Sequence, residues 1–210
     1  MENKKVYVVG GDIYYTSFLK NFEITENIED ADVVLFTGGE DVSPSIYKCK
    51  KHRRTFCNIK RDKAEEKIFN KIRPDQLAVG ICRGSQFLCV MNGGILIQDC
   101  DNHAIGHSHP ITNGKMEFDI SSTHHQMQYP FVLDDKDYTI LYKAINRCSR
   151  YEGDKIDIEA LIENGEPEVV LYHKEGKPLC LAIQGHPEFM PDSPVSNMLN
   201  DLINKYHVSK

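Results

Sequence analysis

Short apolar runs that stop at glycine alternate along this chain with stretches in which apolar residues recur every three or four positions. Residues 4–11, KKVYVVGG, read as a buried strand ending in a glycine turn, and the acidic Asp12 opening 12–22 predicts a short helix behind it. A second β-branched run, DVVLFT at 32–37, stops at Gly38-Gly39. In RDKAEEKIFNKI, residues 61–72, Ala64, Ile68 and Ile72 fall at four-residue steps and predict one face of an amphipathic helix, which Pro74 ends. Residues 77–81 form the next predicted strand. After Gly84 a helix turns Phe87, Leu88 and Met91 inward and stops at Asn92-Gly93-Gly94. Beyond Gly94 the pattern changes to short strands over 94–99, 116–121, 136–144, 168–176 and 178–184, then a final amphipathic helix over 195–206. Strands alternating with helices predict an α/β fold: an open, mostly parallel central sheet flanked by helices, with its site outside the carboxyl ends of the strands.

Composition narrows this picture. A chain of 210 residues suits one domain, 1–210, with a sizeable core. No apolar run approaches the roughly 20 residues needed to cross a bilayer, so no membrane role is expected. The charged opening MENKK leads straight into a strand without the long apolar region of an export signal, and seven scattered cysteines do not suggest a disulfide framework. Both features predict a cytoplasmic protein with free thiols. A formal charge of −6 argues against bulk nucleic-acid binding.

Against that background one cysteine stands apart. Gly80-Ile81-Cys82-Arg83-Gly84 has the G-x-nucleophile-x-G form of a strained strand-to-helix turn, where glycines leave room for a tight backbone and the helix dipole favours a thiolate. The Arg83 N–H would then face an oxyanion formed beside Cys82. The motif alone leaves a structural thiol and a catalytic one equally open. A nucleophile needs a base, and a base needs a group that holds its tautomer. In LCLAIQGHPEF, Pro187 stiffens an extended segment that lets Glu188 reach the far nitrogen of His186, directly after an apolar strand. The Gly38-Gly39 turn could supply a second bare N–H to an oxyanion hole.

In this order, TGGEDVSPSIY, RDKAE, GICRGSQ, GGILIQD, SSTHHQ and QGHPEF resemble the class I (triad) glutamine amidotransferase-like family, within its branch of gamma-glutamyl-aminobutyrate hydrolases (peptidase C26-like). The resemblance covers residues 33–190. It implies a flavodoxin-like class I glutamine amidotransferase fold and a Cys82, His186, Glu188 triad that cleaves a gamma-glutamyl amide through a thioester. It also implies an oxyanion hole from the Gly39 and Arg83 N–H groups, and substrate contacts from Gln86, Ser122 and His124. It calls for no cofactor and no metal. The implied partners are a small gamma-glutamyl substrate and, for a glutaminase, a separate synthetase or ligase subunit receiving ammonia; a homo-oligomer is compatible with both.

Three features depart from this pattern or lie beside it. Ser121-Ser122 stands where the branch often carries Asn-Ser. The segment 48–63, KCKKHRRTFCNIKRDK, is unusually basic, which reads as a solvated loop or as a docking surface for an acidic partner. His103, His107, His109, His124 and His125 crowd one region near Cys100, and Cys49 and Cys57 flank His52, yet none of these spacings matches a structural zinc pattern, so loop and pocket roles are expected. A non-catalytic binding or regulatory protein on the same fold is the alternative function.

Overall fold

The glycine-stopped apolar runs of the sequence become neighbours in one sheet. The structure, a computed structural model, describes residues 3–10, 12–145 and 148–207. Gly11, in the first predicted turn, lies outside the described residues. In chain order the strands and helices are β1 (Lys4–Val9), β2 (Phe22–Ile24), β3 (Val33–Phe36), α1 (Ile59–Phe69), β4 (Leu77–Ile81) and α2 (Arg83–Met91). They continue with β5 (Ile95–Ile97), β6 (Asp99–Cys100), β7 (Ala104–Thr112), β8 (Glu117–Thr123), β9 (Met127–Tyr129), β10 (Tyr138–Ala144), β11 (Tyr151–Glu152), α3 (Ile158–Asn164), β12 (Glu166–Tyr172), β13 (Leu179–Ile183) and α4 (Pro194–Tyr206).

The main sheet has the order β2-β1-β3-β4-β13-β12-β10-β7-β8. From β2 to β13 the strands run parallel, and from β13 to β8 each neighbour is antiparallel. The predicted α/β class therefore holds, with an antiparallel extension on one side. Parallel strands need both faces covered, which is why β3 and β4 are apolar and buried along their whole lengths. Alternate residues serve opposite layers. Val34 and Phe36 pack with Phe69, Phe87 and Leu88 of α1 and α2, whereas Val33 and Leu35 pack with Val195, Leu199 and Ile203 of α4.

Four local expectations need correction. The helix predicted over 12–22 is only a 3-10 turn, Ile13–Thr16, capped by Asp12, and the chain then enters β2. The inward face of α1 carries Asp62, Glu65 and Phe69 rather than the Ala64 and Ile68 row, because those two carboxylates have a buried cationic partner described below. Strand β7 and helix α3 were not anticipated: β7, AIGHSHPIT, is exposed at most positions and has no apolar alternation to betray it. Pro187 opens a 3-10 turn, Pro187–Phe189, so the His186–Glu188 pairing arises in a turn and not in an extended segment.

Candidate active site

Three adjacent parallel strands deliver the chemistry. Gly38 and Gly39 follow β3, Cys82 follows β4, and His186 lies just past β13. Cys82 has φ +51°, in the region that side-chain-bearing residues rarely adopt, and it caps α2. Its N–H donates to the Ile183 carbonyl at 2.8 Å, which ties the turn to the end of β13. The two flanking glycines are sterically required. A Cβ on Gly80 would sit 2.4 Å from the Gly84 carbonyl oxygen, and one on Gly84 would sit 2.1 Å from that of Phe36. The bend that presents the Cys82 side chain is thus fixed by close backbone packing on both sides.

The residue after Cys82 points its side chain the other way. The Arg83 guanidinium is buried and ion-pairs with Asp62 and Glu65 of α1. One helical turn separates the two acids, which suits the two prongs of a guanidinium. Arg61, on the same helix, bonds Glu65 at 2.8 Å and donates to the Gly38 carbonyl at 2.9 Å. Asp62 also accepts the Ser43 N–H at 3.0 Å. The motif RDKAE therefore fastens the elbow and the Gly38-Gly39 turn to one helix. Gly39, with φ +132°, has Arg61 packed against the place where a side chain would project.

His186 is held from every side. Its Nδ1 donates to Glu188 Oε1 at 2.6 Å, which leaves Nε2 for the thiol. The Cys82 thiol acts on the same ring. Burial by itself would lower the His186 pKa, but the Cys82 thiol and the Glu188 carboxylate outweigh it and push the value up to about 10. The Phe189 ring stacks on the imidazole, centroids 4.8 Å apart. Ser121 clamps the backbone, donating to the His186 carbonyl at 2.7 Å and accepting its N–H at 3.0 Å. Tyr15 lies beside the same ring. Burial, reinforced by Glu188 and Cys82, pushes its hydroxyl pKa to about 12, so it stays protonated. No sequence signal assigns these tasks to Ser121 or Tyr15 beyond their proximity to the motifs.

A cavity of about 240 Å³ opens beside Cys82, lined among others by Gly39, Asp41, Arg83, Gln86 and His124. Gln86 donates to the Gln126 carbonyl at 3.0 Å, and its buried Oε1 has no hydrogen-bond partner among the described residues. Ser122 is not brought to this cavity. Its hydroxyl donates to the His103 carbonyl at 2.5 Å, because alternation along β8 sends Ser121 to His186 and Ser122 to the opposite side. His124 borders the cavity, but its Nδ1 bonds the Gln126 carbonyl at 2.9 Å and its Nε2 faces Glu168. Burial, helped by His103, holds its pKa well below the usual histidine range. The basic segment divides: Arg61 enters the site scaffold, Arg54 reaches Asp99 at 3.3 Å, and Phe56 stands exposed at the cavity mouth.

All seven cysteines are free. Burial raises the pKa of Cys89 and Cys180 to about 12, which marks them as inert thiols. Among the described residues three groups bring potential metal-ligating atoms within 4.8 Å of one another: His103 with His109, His124 and Glu168; His103 with Cys148 and Glu166; and His52 with Asp99 and Glu152. No helix among the described residues is long and apolar enough to cross a membrane.

Known proteins resemble this chain in sequence and in fold. The family model described as Peptidase C26 matches residues 9–188. A candidate glutamine amidotransferase-like protein, the YvdE homolog of Lactococcus lactis subsp. cremoris, is 33% identical over 94 residues, 42% of this chain and 50% of its own length. Protein NtpR of Enterococcus hirae is 32% identical over 74 residues, 34% of this chain and 31% of its own length. The chain thus spans half or less of the length of these two relatives. In fold it is similar to a candidate GMP synthase subunit from Thermoplasma acidophilum, with TM-score 0.60 and 16% identity over 97% of this chain and 94% of that one. A glutamine amidotransferase from Thermotoga maritima gives TM-score 0.56 and 11% identity over 99% and 93%.

Proposed function

We propose, on the premise that the chain belongs to the peptidase C26 family, that it hydrolyses a gamma-glutamyl amide with Cys82 as nucleophile, His186 as acid and base, and Glu188 as orienting carboxylate. The observation that carries this reading is the convergence at one sheet edge of a strained cysteine and a histidine whose other nitrogen is bound to a buried carboxylate.

Each group has a task that its surroundings support. With a pKa of about 10, His186 is a strong enough base to take the Cys82 proton as the sulfur attacks. The sulfur attacks the amide carbon; a C–S bond forms and the carbonyl pair moves to oxygen. The N–H groups of Gly39 and Arg83 receive that oxyanion. His186 passes its Nε2 proton to the departing nitrogen as the C–N bond breaks, leaving a gamma-glutamyl thioester. Water then gives a proton to His186 as it adds to the thioester, and the thiolate leaves. Gln86, with an unoccupied acceptor oxygen, and His124 line the space for the glutamyl portion. We place the reaction in the cytoplasm, which the free thiols support.

Two versions differ in where the nitrogen goes. A separate synthetase receives ammonia in one, and a stand-alone hydrolase releases an amine in the other. The fold likeness to a protein named as part of a synthase supports the first. A diazo-ketone analogue of glutamine should label Cys82, located by mass spectrometry, and Cys82→Ala should lose both labelling and glutamate release. Equal labelling of Cys89, or hydrolysis surviving in Cys82→Ala, defeats the proposal. Turnover of small gamma-glutamyl conjugates by the protein alone separates the hydrolase from the synthetase-dependent form.

A further inference from the structure

Behind the loop that lines the cavity lies a second constellation, which shares only His124 with the groups given a task above. His103 precedes β7, His109 lies on it, His124 follows β8, and Glu168 lies on β12. All four are buried, and one ligating atom from each lies within 4.8 Å of the others.

The outer nitrogen of each ring already has an acceptor. His103 Nε2 is 2.8 Å from Glu166 Oε2, His109 Nδ1 is 3.1 Å from the Pro110 carbonyl, and His124 Nδ1 is 2.9 Å from the Gln126 carbonyl. Carbonyls and carboxylates only accept, so these outer nitrogens carry the hydrogens. A ring that keeps only this outer hydrogen presents its inner nitrogen's lone pair to a metal. These converge on Glu168 Oε1 at 3.4 Å from His103 Nδ1, 3.3 Å from His109 Nε2 and 3.9 Å from His124 Nε2. Glu168 is wholly buried, and neither carboxylate oxygen accepts a hydrogen bond among the described residues. Ser122 Oγ donates to the His103 carbonyl at 2.5 Å and stands 3.2 Å from His103 Nδ1, so toward that nitrogen it is only an acceptor, and a bound cation would displace the Nδ1 hydrogen it accepts.

Three buried imidazoles and a buried carboxylate, with their ligating atoms converging and no hydrogen bond to the carboxylate among the described residues, suit a cation. We propose that His103, His109, His124 and Glu168 form a closed structural site for a divalent first-row metal, best matched by Zn²⁺. Tetrahedral zinc with bonds of about 2.0–2.1 Å has ligand-to-ligand edges of about 3.3–3.4 Å, which the His103 and His109 distances to Glu168 already meet. Glu166, the two carbonyls and the fixed tautomers form the outer shell that such sites use to orient imidazoles. The charge also closes, since Zn²⁺ balances the buried carboxylates of Glu166 and Glu168. Four protein ligands leave no open position, so the ion would fix the 123–126 loop against β7 and β12 and take no part in bond breaking. Spacing could not announce this site, because its ligands come from separate strands and the fourth lies 44 positions after His124.

Metal analysis of the purified full chain tests the proposal independently of catalysis. We expect one zinc per chain, a lower melting temperature after chelation that added Zn²⁺ restores, and a tetrahedral ligand-field spectrum when Co²⁺ replaces it. Cys82→Ala, Cys148→Ser and His52→Ala should keep the metal, while His109→Ala and Glu168→Gln should lose it. Should those last two variants fail to fold, the Co²⁺ spectrum of the wild-type chain decides. Chelator-treated protein that takes up neither Zn²⁺ nor Co²⁺ at micromolar concentration and melts unchanged would overturn the site in favour of a protonated histidine–carboxylate network. Loss of metal in Cys148→Ser or His52→Ala with retention in His109→Ala would overturn it in favour of another cluster. Labelling of Cys82 is unaffected by either result as a test of the nucleophile.

Discussion

The parallel and antiparallel halves of the main sheet meet at β13 and β12, and each holds a buried polar constellation built in a different way. In the parallel half, Cys82, His186 and the Gly38-Gly39 turn each follow directly on an apolar strand, so neighbouring strand ends bring them together. In the antiparallel half, three histidines and Glu168 are gathered from β7, β8 and β12 around a shared carboxylate. The two touch at β8, where Ser121 holds His186 and Ser122 holds His103. The first arrangement is dictated by backbone geometry at turns, whereas the second depends on side chains that meet only after long-range pairing is complete.

The largest stability effect should come from the scaffold of the first constellation. Arg83→Met strips buried Asp62 of its cation and leaves Glu65 with Arg61 alone, which costs about 3–5 kcal/mol. Urea denaturation reads this as a lower midpoint. A loss below about 1 kcal/mol would mean that the guanidinium and its acids are solvated, and the elbow would then rest on its glycines alone.

That clamp also marks how far the sequence could be read. The Cys82 turn and the His186–Glu188 pair were legible because a sharp strand-to-helix turn demands flanking small residues and because a histidine two positions from a carboxylate leaves a compact local signature. The parallel strands were legible because double-sided burial makes them uniformly apolar. The direction of α1 was not. Ala64, Ile68 and Ile72 suggest an apolar face, and the cation that draws Asp62 and Glu65 inward belongs to another helix, α2, which no local pattern reveals. β7 was invisible because a strand exposed at most positions need not alternate. The crowding of His103, His109 and His124 was legible, but Glu168 was not, because ligand spacing describes local loops and this residue comes from a separate strand.

A single hydroxyl tests the seam between the halves. Ser121→Ala removes both the donor to the His186 carbonyl and the acceptor for its N–H, a destabilisation of about 1–3 kcal/mol. As a positioning residue it should slow Cys82 labelling and flatten the pH profile of that labelling, with a smaller effect on binding of unreactive glutamine. If Ser121→Ala destabilised the chain with labelling unchanged, the clamp would be structural only.

The His186 titration gives a subtler separation. Its pKa is about 10 in the folded chain against 6.5 ordinarily, so the folded state binds the proton more tightly. The stabilisation is complete below about pH 6.5 and is lost as the pH rises through about 10. The gap in urea midpoint between wild-type protein and His186→Gln should therefore be widest near pH 6 and narrow steadily toward pH 10. A gap that widened with pH would mean that burial dominates and that Cys82 and Glu188 do not hold the proton.

The smallest effect is expected on the outer face of the antiparallel half. His107 is exposed on β7, two positions before buried His109, and is not in the cluster that His109 joins. Its replacement by alanine removes no buried contact and should shift stability by less than about 0.5 kcal/mol. No comparable position exists on β4, where every residue is buried, and this asymmetry is what lets β7 carry polar residues at all. A loss above about 1 kcal/mol that grew with protein concentration would show that a second chain covers this face. The antiparallel half would then be an assembled surface, and the contrast with the enclosed parallel half would disappear.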